Sequence, residues 1–350
     1  MGIDQLSQLL RESAAEVPVP DLAEAAWDRA VRVRRRRQLA GAVTVSVAVG
    51  VLALGVGIPL GGTVGDMGTA PVPTETKPVP GVTADEMPDT PRPRAVLGLP
   101  RSPDLRATAQ QQLSGRPVER AVALYERASL PGAPDPEPVF VLGSDGALRV
   151  LDGVGLDFTV DEAPLQPTSL SPDGRRAAFP QVDELVVVDL TTGRPDTFRV
   201  PGFNVSVRWL SADTVLVEQS ASASIVDVAR RTVTAAPRPT DTLVPDPVFQ
   251  WSGPRWRNGN LEVGIRVGGP SRGYSGTNVA VVDVRTGAVV RLLVLGPAAG
   301  RADATALGWL DSDAVLLRTD QDGVVAWNTS TGEVTSVTGP FDGQIAIVSR

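Results

Sequence analysis

The 350-residue chain has no cysteine, no histidine and, with Lys77, a single lysine against 32 arginines. Without cysteine there are no disulfides, no thiolate metal sites and no cysteine-linked lipid anchor. Without histidine the usual general base, the usual zinc ligand and the Ser-His-Asp triad are all excluded. Serines and threonines are plentiful, but none has an obvious activating base when the only amine lies in a proline-rich stretch. On these residues the chain reads as a non-enzyme with no cofactor and no metal. Aromatic residues are also few, at 4 %.

Net positive charge is confined to the N-terminus. Residues 1–37 carry seven arginines against six acids, a net of +1, and the remainder carries −8, giving −7 in all. A mildly acidic body argues against nucleic acid as a partner.

Long uncharged runs are absent except at one place. Residues 39–60 are 22 uncharged, mostly apolar residues. As a helix they rise about 33 Å, enough to cross a hydrocarbon core of about 30 Å. Arg29, Arg32, Arg34, Arg35, Arg36 and Arg37 stand just before this run. Arginine clusters stay on the cytoplasmic side, so the chain reads as a single-pass cell-membrane protein with its N-terminus inside and its C-terminal domain outside. A cleaved signal peptide is the competing reading. It would need an unusually long basic region and an apolar stretch beyond the usual 7–15 residues.

The organisation expected is therefore a cytoplasmic helical segment at 1–37, a transmembrane helix at 38–60, a Pro-rich linker at 61–94 and an extracytoplasmic domain at 95–350. In the first segment Ile3, Leu6, Leu9 and Leu10 form one apolar helical stripe. A segment this short cannot bury the stripe in a core of its own. It either docks on a cytoplasmic regulator or serves only as a tail that sets orientation. The linker repeats Pro-x-Pro at Pro71, Pro73, Pro78, Pro80, Pro91 and Pro93, which favours extended polyproline II.

The outer domain is built from short Val- and Leu-rich segments bounded by Gly, Pro, Asp and Thr, an all-β pattern. One hairpin recurs: VVVDLTTGRP at 186–195, SIVDVARRTV at 224–233, VAVVDVRTGAVV at 279–290 and VVAWNTSTGEV at 324–334, with a looser copy, VFVLGSDGALRVL, at 139–151. A second hairpin alternates with it: TSLSPDGRRAAFP at 168–180, VRWLSADTVLVE at 207–218 and LGWLDSDAVLLR at 307–318. Two hairpins make the four-stranded unit of a β-propeller blade. Counting turns gives about five blades, near 118–165, 166–202, 203–240, 244–300 and 303–340, with residues 95–125 open to completing a sixth. The strand at 345–348 is expected to pair with the N-terminal end and close the ring, which removes exposed edges. Gly193, Gly287 and Gly332 suit turns that need positive φ. Arg231 stands where glycine is expected, so its turn is predicted to differ in shape.

The sequences SPDGRRAAF and ELVVVDLTTGR resemble the blade repeat of TolB-type and WD-repeat-like bacterial propellers, over about residues 118–340. The striped helix, Val-Pro break, arginine cluster and single span are similar to actinobacterial membrane proteins with such an outer domain. Some of those are linked to sigma factors, and that resemblance implies a sigma factor as the cytoplasmic partner. Zinc-containing anti-sigma domains are excluded by the missing histidine and cysteines.

Acidic pairs at Asp161/Glu162, Asp183/Glu184, Asp311/Asp313 and Asp320/Asp322 fall in expected turns, where solvated carboxylates are ordinary. Trp209 and Trp309 hold equivalent repeat positions and read as packing between blades. Trp251, Arg255, Trp256 and Arg257 lie in the most irregular stretch, WSGPRWRNGN, and Tyr274 lies in a second irregular stretch of the same blade. Aromatic plus arginine composition in loops that break a repeat marks a candidate binding site. The function expected is ligand or protein binding or sensing. A propeller lactonase or glycosidase using channel carboxylates is the alternative, and a structural envelope protein a second. The oligomeric state is left open.

Overall fold

The computed structural model describes residues 82–106, 111–128, 137–154, 156, 164–219, 222–236, 249–268, 276–296 and 304–349. All of them lie within the larger of two compact units, Ser46–Arg350. The cytoplasmic stripe, the apolar span, most of the linker, Asp161, Glu162 and Tyr274 are outside the described residues. Among the described residues there is no helix, and so none long and apolar enough to cross a membrane.

The chain opens with three short strands, β1 Thr83–Glu86, β2 Arg92–Pro93 and β3 Gln111–Gln112. Blade one follows with β4 Ala121–Arg127, β5 Val139–Gly143 and β6 Leu148–Val150. Blade two has β7 Arg176–Pro180, β8 Val182–Asp189 and the first half of the long β9 Arg194–Trp209. The second half of β9 opens blade three, continued by β10 Thr214–Gln219, β11 Ala223–Asp227 and β12 Thr232–Ala236. Blade four is β13 Phe249–Asn258, β14 Leu261–Gly268, β15 Gly276–Asp283 and β16 Val289–Val294. Blade five is β17 Thr305–Trp309, β18 Ala314–Thr319, β19 Gly323–Asn328 and β20 Val334–Thr338, and β21 Gly343–Ile347 ends the chain's strands.

The architecture is an all-β propeller. β21 pairs antiparallel with β4, from Gly343 opposite Arg127 to Ile347 opposite Ala123, so the C-terminal strand becomes the inner strand of blade one. That is the closure expected from the strand at 345–348. The five repeats form four hydrogen-bonded sheets rather than five, because β9 runs without a break from the outside of blade two to the inside of blade three. Residues 95–125 do not make a sixth blade among the described residues: Gln111 and Gln112 pair with Arg149 and Val150 at the edge of blade one, and Ala121 begins β4.

Blade strands are covered on both faces, which is why they read as nearly continuous Val and Leu. In β8, Val186 and Val188 pack toward blade one, with Leu124, Val139 and Val141. Leu185 and Val187 of the same strand pack toward blade three, with Val207, Trp209 and Val215. In β15, Val279 and Val281 face Val315, Leu317 and Trp327 of blade five. Blades five and one share Leu307, Leu316, Tyr125, Phe140 and Ile345. Among the described residues, four of the five blade-to-blade boundaries therefore have a joint apolar core.

The turns follow the repeat. The carboxylate of Asp189 accepts the Thr191 amide at 2.8 Å, and that of Asp283 the Arg285 amide at 2.8 Å. The Asn328 side chain accepts from Ser330 and Thr331 at 3.0 and 2.8 Å. Gly193, Gly287 and Gly332 have φ of 72°, 70° and 82°. Arg231, at the position where glycine was expected, has a φ of 56° and so takes the same left-handed backbone as those glycines, while the Asp227 carboxylate accepts the amide of Arg230, three residues on, at 2.8 Å. The Arg231 guanidinium reaches back to Asp196 at 2.6 Å and lies 5.4 Å from the Phe198 ring.

Part of the stretch read as linker is built into the ring. β1 pairs in parallel with β16 of blade four, and β2 in parallel with β20 of blade five. Among the described residues, paired structure thus begins at Thr83, ahead of the boundary placed at 94. The prolines did not prevent this, because a strand at a sheet edge can turn its donor-free side outward.

Candidate functional site

Blade four is the irregular blade, and its first strand holds four of the residues singled out by sequence. The stretch WSGPRWRNGN is not a free loop. Nearly all of it is β13 and the turn that follows, with a register slip against β14 between Ser252 and Trp256. Gly253, at φ 72°, supplies the left-handed backbone inside this bulge.

Register separates the two tryptophans. Trp251 stands opposite Arg266 and Trp256 opposite Val263, three residues apart on β14, so the indoles lie on opposite faces of the blade. Trp256 faces blade five. Its indole N–H donates to the Ala306 carbonyl at 2.9 Å, and its own carbonyl accepts the Trp309 indole N–H at 2.9 Å. Trp209 makes the corresponding bond to the Ser169 carbonyl at 2.9 Å, tying blade three to blade two. Trp209 and Trp309 therefore do pack between blades, and Trp256 joins them as an interblade lock. Arg257 is exposed and donates to the Gly259 carbonyl at 3.0 Å.

Trp251 lies on the other face, and Arg255 comes with it. A Cβ on Gly264 would come within 2.9 Å of the Trp251 ring and 3.1 Å of the Arg255 side chain, so glycine is what lets both settle on the sheet. The Arg255 and Arg266 guanidiniums lie 5.9 and 5.8 Å from the Trp251 ring centroid. That is within range of attraction to an aromatic face. Arg255 also pairs with Glu262 at 3.6 Å. Arg266 and Asn278 are buried side by side across β14 and β15. The apolar cluster beneath, Ala280, Val282 and Leu292 with Val82 and Trp251, belongs to blade four and the strand leading into it.

Blade three matches this with polar groups. In the second half of β9, Val207 and Trp209 face blade two, so Ser206 and Arg208 face away from it. The Ser206 hydroxyl donates to Glu218 at 2.6 Å. Arg208 Nε is buried with no hydrogen-bond partner among the described residues. The boundary between blades three and four is thus flanked by Arg208, Glu218, Trp251, Arg255, Glu262 and Arg266. Among the described residues it has no joint apolar core. Guanidiniums cannot act as bases at neutral pH, so this set suits recognition of carboxylate, phosphate or amide groups.

Arg266, Glu262, Asn278, Arg208 and Glu218 were not singled out from the sequence. The available signal was an arginine in the middle of the apolar strand Leu261–Gly268, at a position that faces a neighbouring blade.

Among the described residues, the acidic pairs have local partners. Asp183 accepts the Gly202 amide at 2.7 Å. Asp311 accepts the amides of Asp313 and Ala314 at 2.9 and 2.7 Å. Asp320 takes Arg318 at 2.9 Å, and Asp322 the Thr319 hydroxyl at 3.0 Å. Among the described residues no group of three or more acids could hold a metal ion. The most perturbed acid is Glu126, fully buried in β4. Burial pushes its carboxyl up to about 8, against the pull of the Leu165 amide that donates to it at 2.9 Å. The charge of Glu137 adds to the upward shift.

No protein-family model matches the chain, and no curated protein does. Solved structures do. One is a mitotic checkpoint complex, 13 % identical over 82 % of this chain and 74 % of that one, at a TM-score of 0.29. A second is the C-terminal WD40 domain of Sif2, 14 % identical over 55 % and 62 %, at 0.33. A third is an oligogalacturonate lyase in complex with manganese, 14 % identical over 49 % and 51 %, at 0.28. The chain thus spans under two thirds of the last two. At these scores the likeness adds nothing to what strand order and ring closure establish.

Proposed function

We propose that this protein is a single-pass membrane protein whose extracytoplasmic β-propeller binds or senses a protein partner, and whose N-terminal segment contacts a cytoplasmic regulator. The binding face is the blade-three to blade-four boundary. The observation that carries this reading is the Trp251 indole held beside two arginines and an acid, at the boundary that has no joint apolar core among the described residues. An aromatic ring with arginines is the composition that dominates binding energy at protein interfaces. The cytoplasmic half rests on the stripe of Ile3, Leu6, Leu9 and Leu10, with a sigma factor as the leading regulator by resemblance.

The test is a photo-crosslinking residue at Arg257, which is exposed beside this face, in the full-length protein in its native cells. A discrete adduct, lost when Trp251→Ala is added and absent with the crosslinker at Val290, supports the reading. The same adduct from both positions, or none from either, contradicts it.

A further inference from the structure

Arginines drawn into this fold come with acidic partners. Arg149 pairs with Asp145, Arg176 with Asp213, Arg255 with Glu262, Arg291 with Asp85 and Arg318 with Asp320. Arg208 departs from this. It is half-buried on the inner half of β9, and its Nε is shut off from solvent. Among the described residues its guanidinium has no hydrogen bond and no ion pair.

The repeat shows what the position otherwise holds. The Trp209 indole bonds the Ser169 carbonyl of the blade before it, and the Trp309 indole bonds the Trp256 carbonyl of the blade before it, so Ser169 and Trp256 are equivalent. Leu170, Trp209 and Trp309 each stand just ahead of a turn closed by a backbone bond, Ser171 to Arg176, Leu210 to Thr214 and Leu310 to Ala314. Arg208 and Gly308, one residue earlier, therefore share the position of Ser169 and Trp256. The other three are accommodated within the protein. The Ser169 hydroxyl accepts the Gln166 amide at 3.0 Å, the Trp256 indole is locked to Ala306 at 2.9 Å, and Gly308 is packed against Ser349. Arg208 alone of the four is charged.

Val207 and Trp209 pack on blade two, so Arg208 faces away from it, at the boundary with blade four. Blade four brings Arg255 and Arg266 to that boundary, beside the Trp251 ring. The acids there are Glu262, paired with Arg255, and Glu218, which accepts the Ser206 hydroxyl. Among the described residues three guanidiniums thus face two carboxylates, a balance of one positive charge. A singly charged carboxylate matches that balance, and its two oxygens match the planar fork of a guanidinium. A doubly charged phosphate would exceed it beside Glu218 and Glu262. An arginine held half-buried without an acceptor costs the fold stability, and such departures belong to sites that a ligand completes.

We infer that Arg208 anchors a carboxylate of the partner, an aspartate or glutamate side chain that enters the blade-three to blade-four boundary. The inference rests on the reading of that boundary as the binding face and adds the chemistry of what enters it.

The test uses the full-length protein in detergent micelles and the arginine reagent phenylglyoxal, with labelling read residue by residue by mass spectrometry. The probes are a hexaglutamate peptide, a hexaglutamine peptide and inorganic phosphate, at equal concentration and ionic strength. Hexaglutamate should slow labelling of Arg208 about fivefold, as a two-pronged carboxylate contact requires, while the other two leave it unchanged. Arg194, exposed on blade two, reports non-specific attraction and should label at one rate throughout. Arg208→Met should keep or raise the melting temperature, because it removes a buried donor without an acceptor, and should abolish the adduct formed from the crosslinker at Arg257. Equal protection of Arg208 and Arg194, equal protection by phosphate, or no protection overturns the inference. A lowered melting temperature for Arg208→Met also overturns it, by making the side chain a structural group. An adduct that survives Arg208→Met overturns it while leaving the binding reading intact. Protection by hexaglutamate with no adduct in the wild type does the reverse.

Discussion

Asp85 and Arg291, 206 residues apart in the chain, form a two-pronged ion pair, Nε to Oδ2 at 2.7 Å and Nη2 to Oδ1 at 3.0 Å. The same carboxylate accepts the indole N–H of Trp327 in blade five at 3.0 Å, and Arg291 also donates to the Ser330 carbonyl at 3.0 Å. One residue of the N-terminal belt thereby ties blade four to blade five. Gly332 belongs to the arrangement, since a Cβ there would come within 2.4 Å of the Asp85 carboxylate. The carboxylate also holds the Arg291 guanidinium above its ordinary value, through the hydrogen bond first and charge second.

Asp85→Ala should therefore cost about 3 kcal/mol, because it leaves a mostly buried guanidinium and an indole N–H without their acceptor. Arg291→Lys should recover only part of the loss, since an ammonium cannot reproduce the fork. Urea unfolding measures both. A loss below about 0.5 kcal/mol for Asp85→Ala would place the belt outside the cooperative unit.

Arg231 tests the turn it occupies. Its left-handed φ is costly for a branched residue and free for glycine, so Arg231→Val should destabilise by about 2 kcal/mol. Arg231→Gly should stay within about 1 kcal/mol of wild type, because the backbone relief offsets the loss of a largely exposed ion pair with Asp196. Thermal unfolding gives the order. Equal stability of the valine and glycine variants would mean the turn has another shape.

Glu126 sets a pH dependence. Its carboxyl is raised to about 8 in the folded protein, against 4.5 for the free group. The folded state keeps a proton there that the unfolded state has released, so this contribution is fully present below pH 4.5 and is lost as pH rises to about 8. Glu126→Gln keeps the acceptor for Leu165 and removes the ionisation. Chemical denaturation at pH 5 and pH 8 should show the variant gaining on wild type by about 2–3 kcal/mol between the two. A difference that stays constant with pH would show that Glu126 is ionised in the fold.

The repeat, the closing strand and the interblade role of Trp209 and Trp309 were legible because each is written in local pattern. Strands buried on both faces leave apolar runs, and the turns at Gly193, Gly287 and Gly332 each follow an Asp or Asn. The belt was not legible. β1 and β2 are short, lie among prolines and are held by partners more than 200 residues away, so no local period marks them. The site was legible in half. WSGPRWRNGN drew attention by its composition, but only register tells that Trp251 and Trp256 face opposite ways. Arg255 and Trp251 remain together, while Trp256 serves the fold.

The central claim, that the propeller is displayed outside the cell while the N-terminus stays in the cytoplasm, is tested most directly by protease added to intact spheroplasts carrying an N-terminal tag. The account predicts loss of the propeller with a protected, tagged, membrane-bound fragment. Digestion of the tag with survival of the propeller would contradict it.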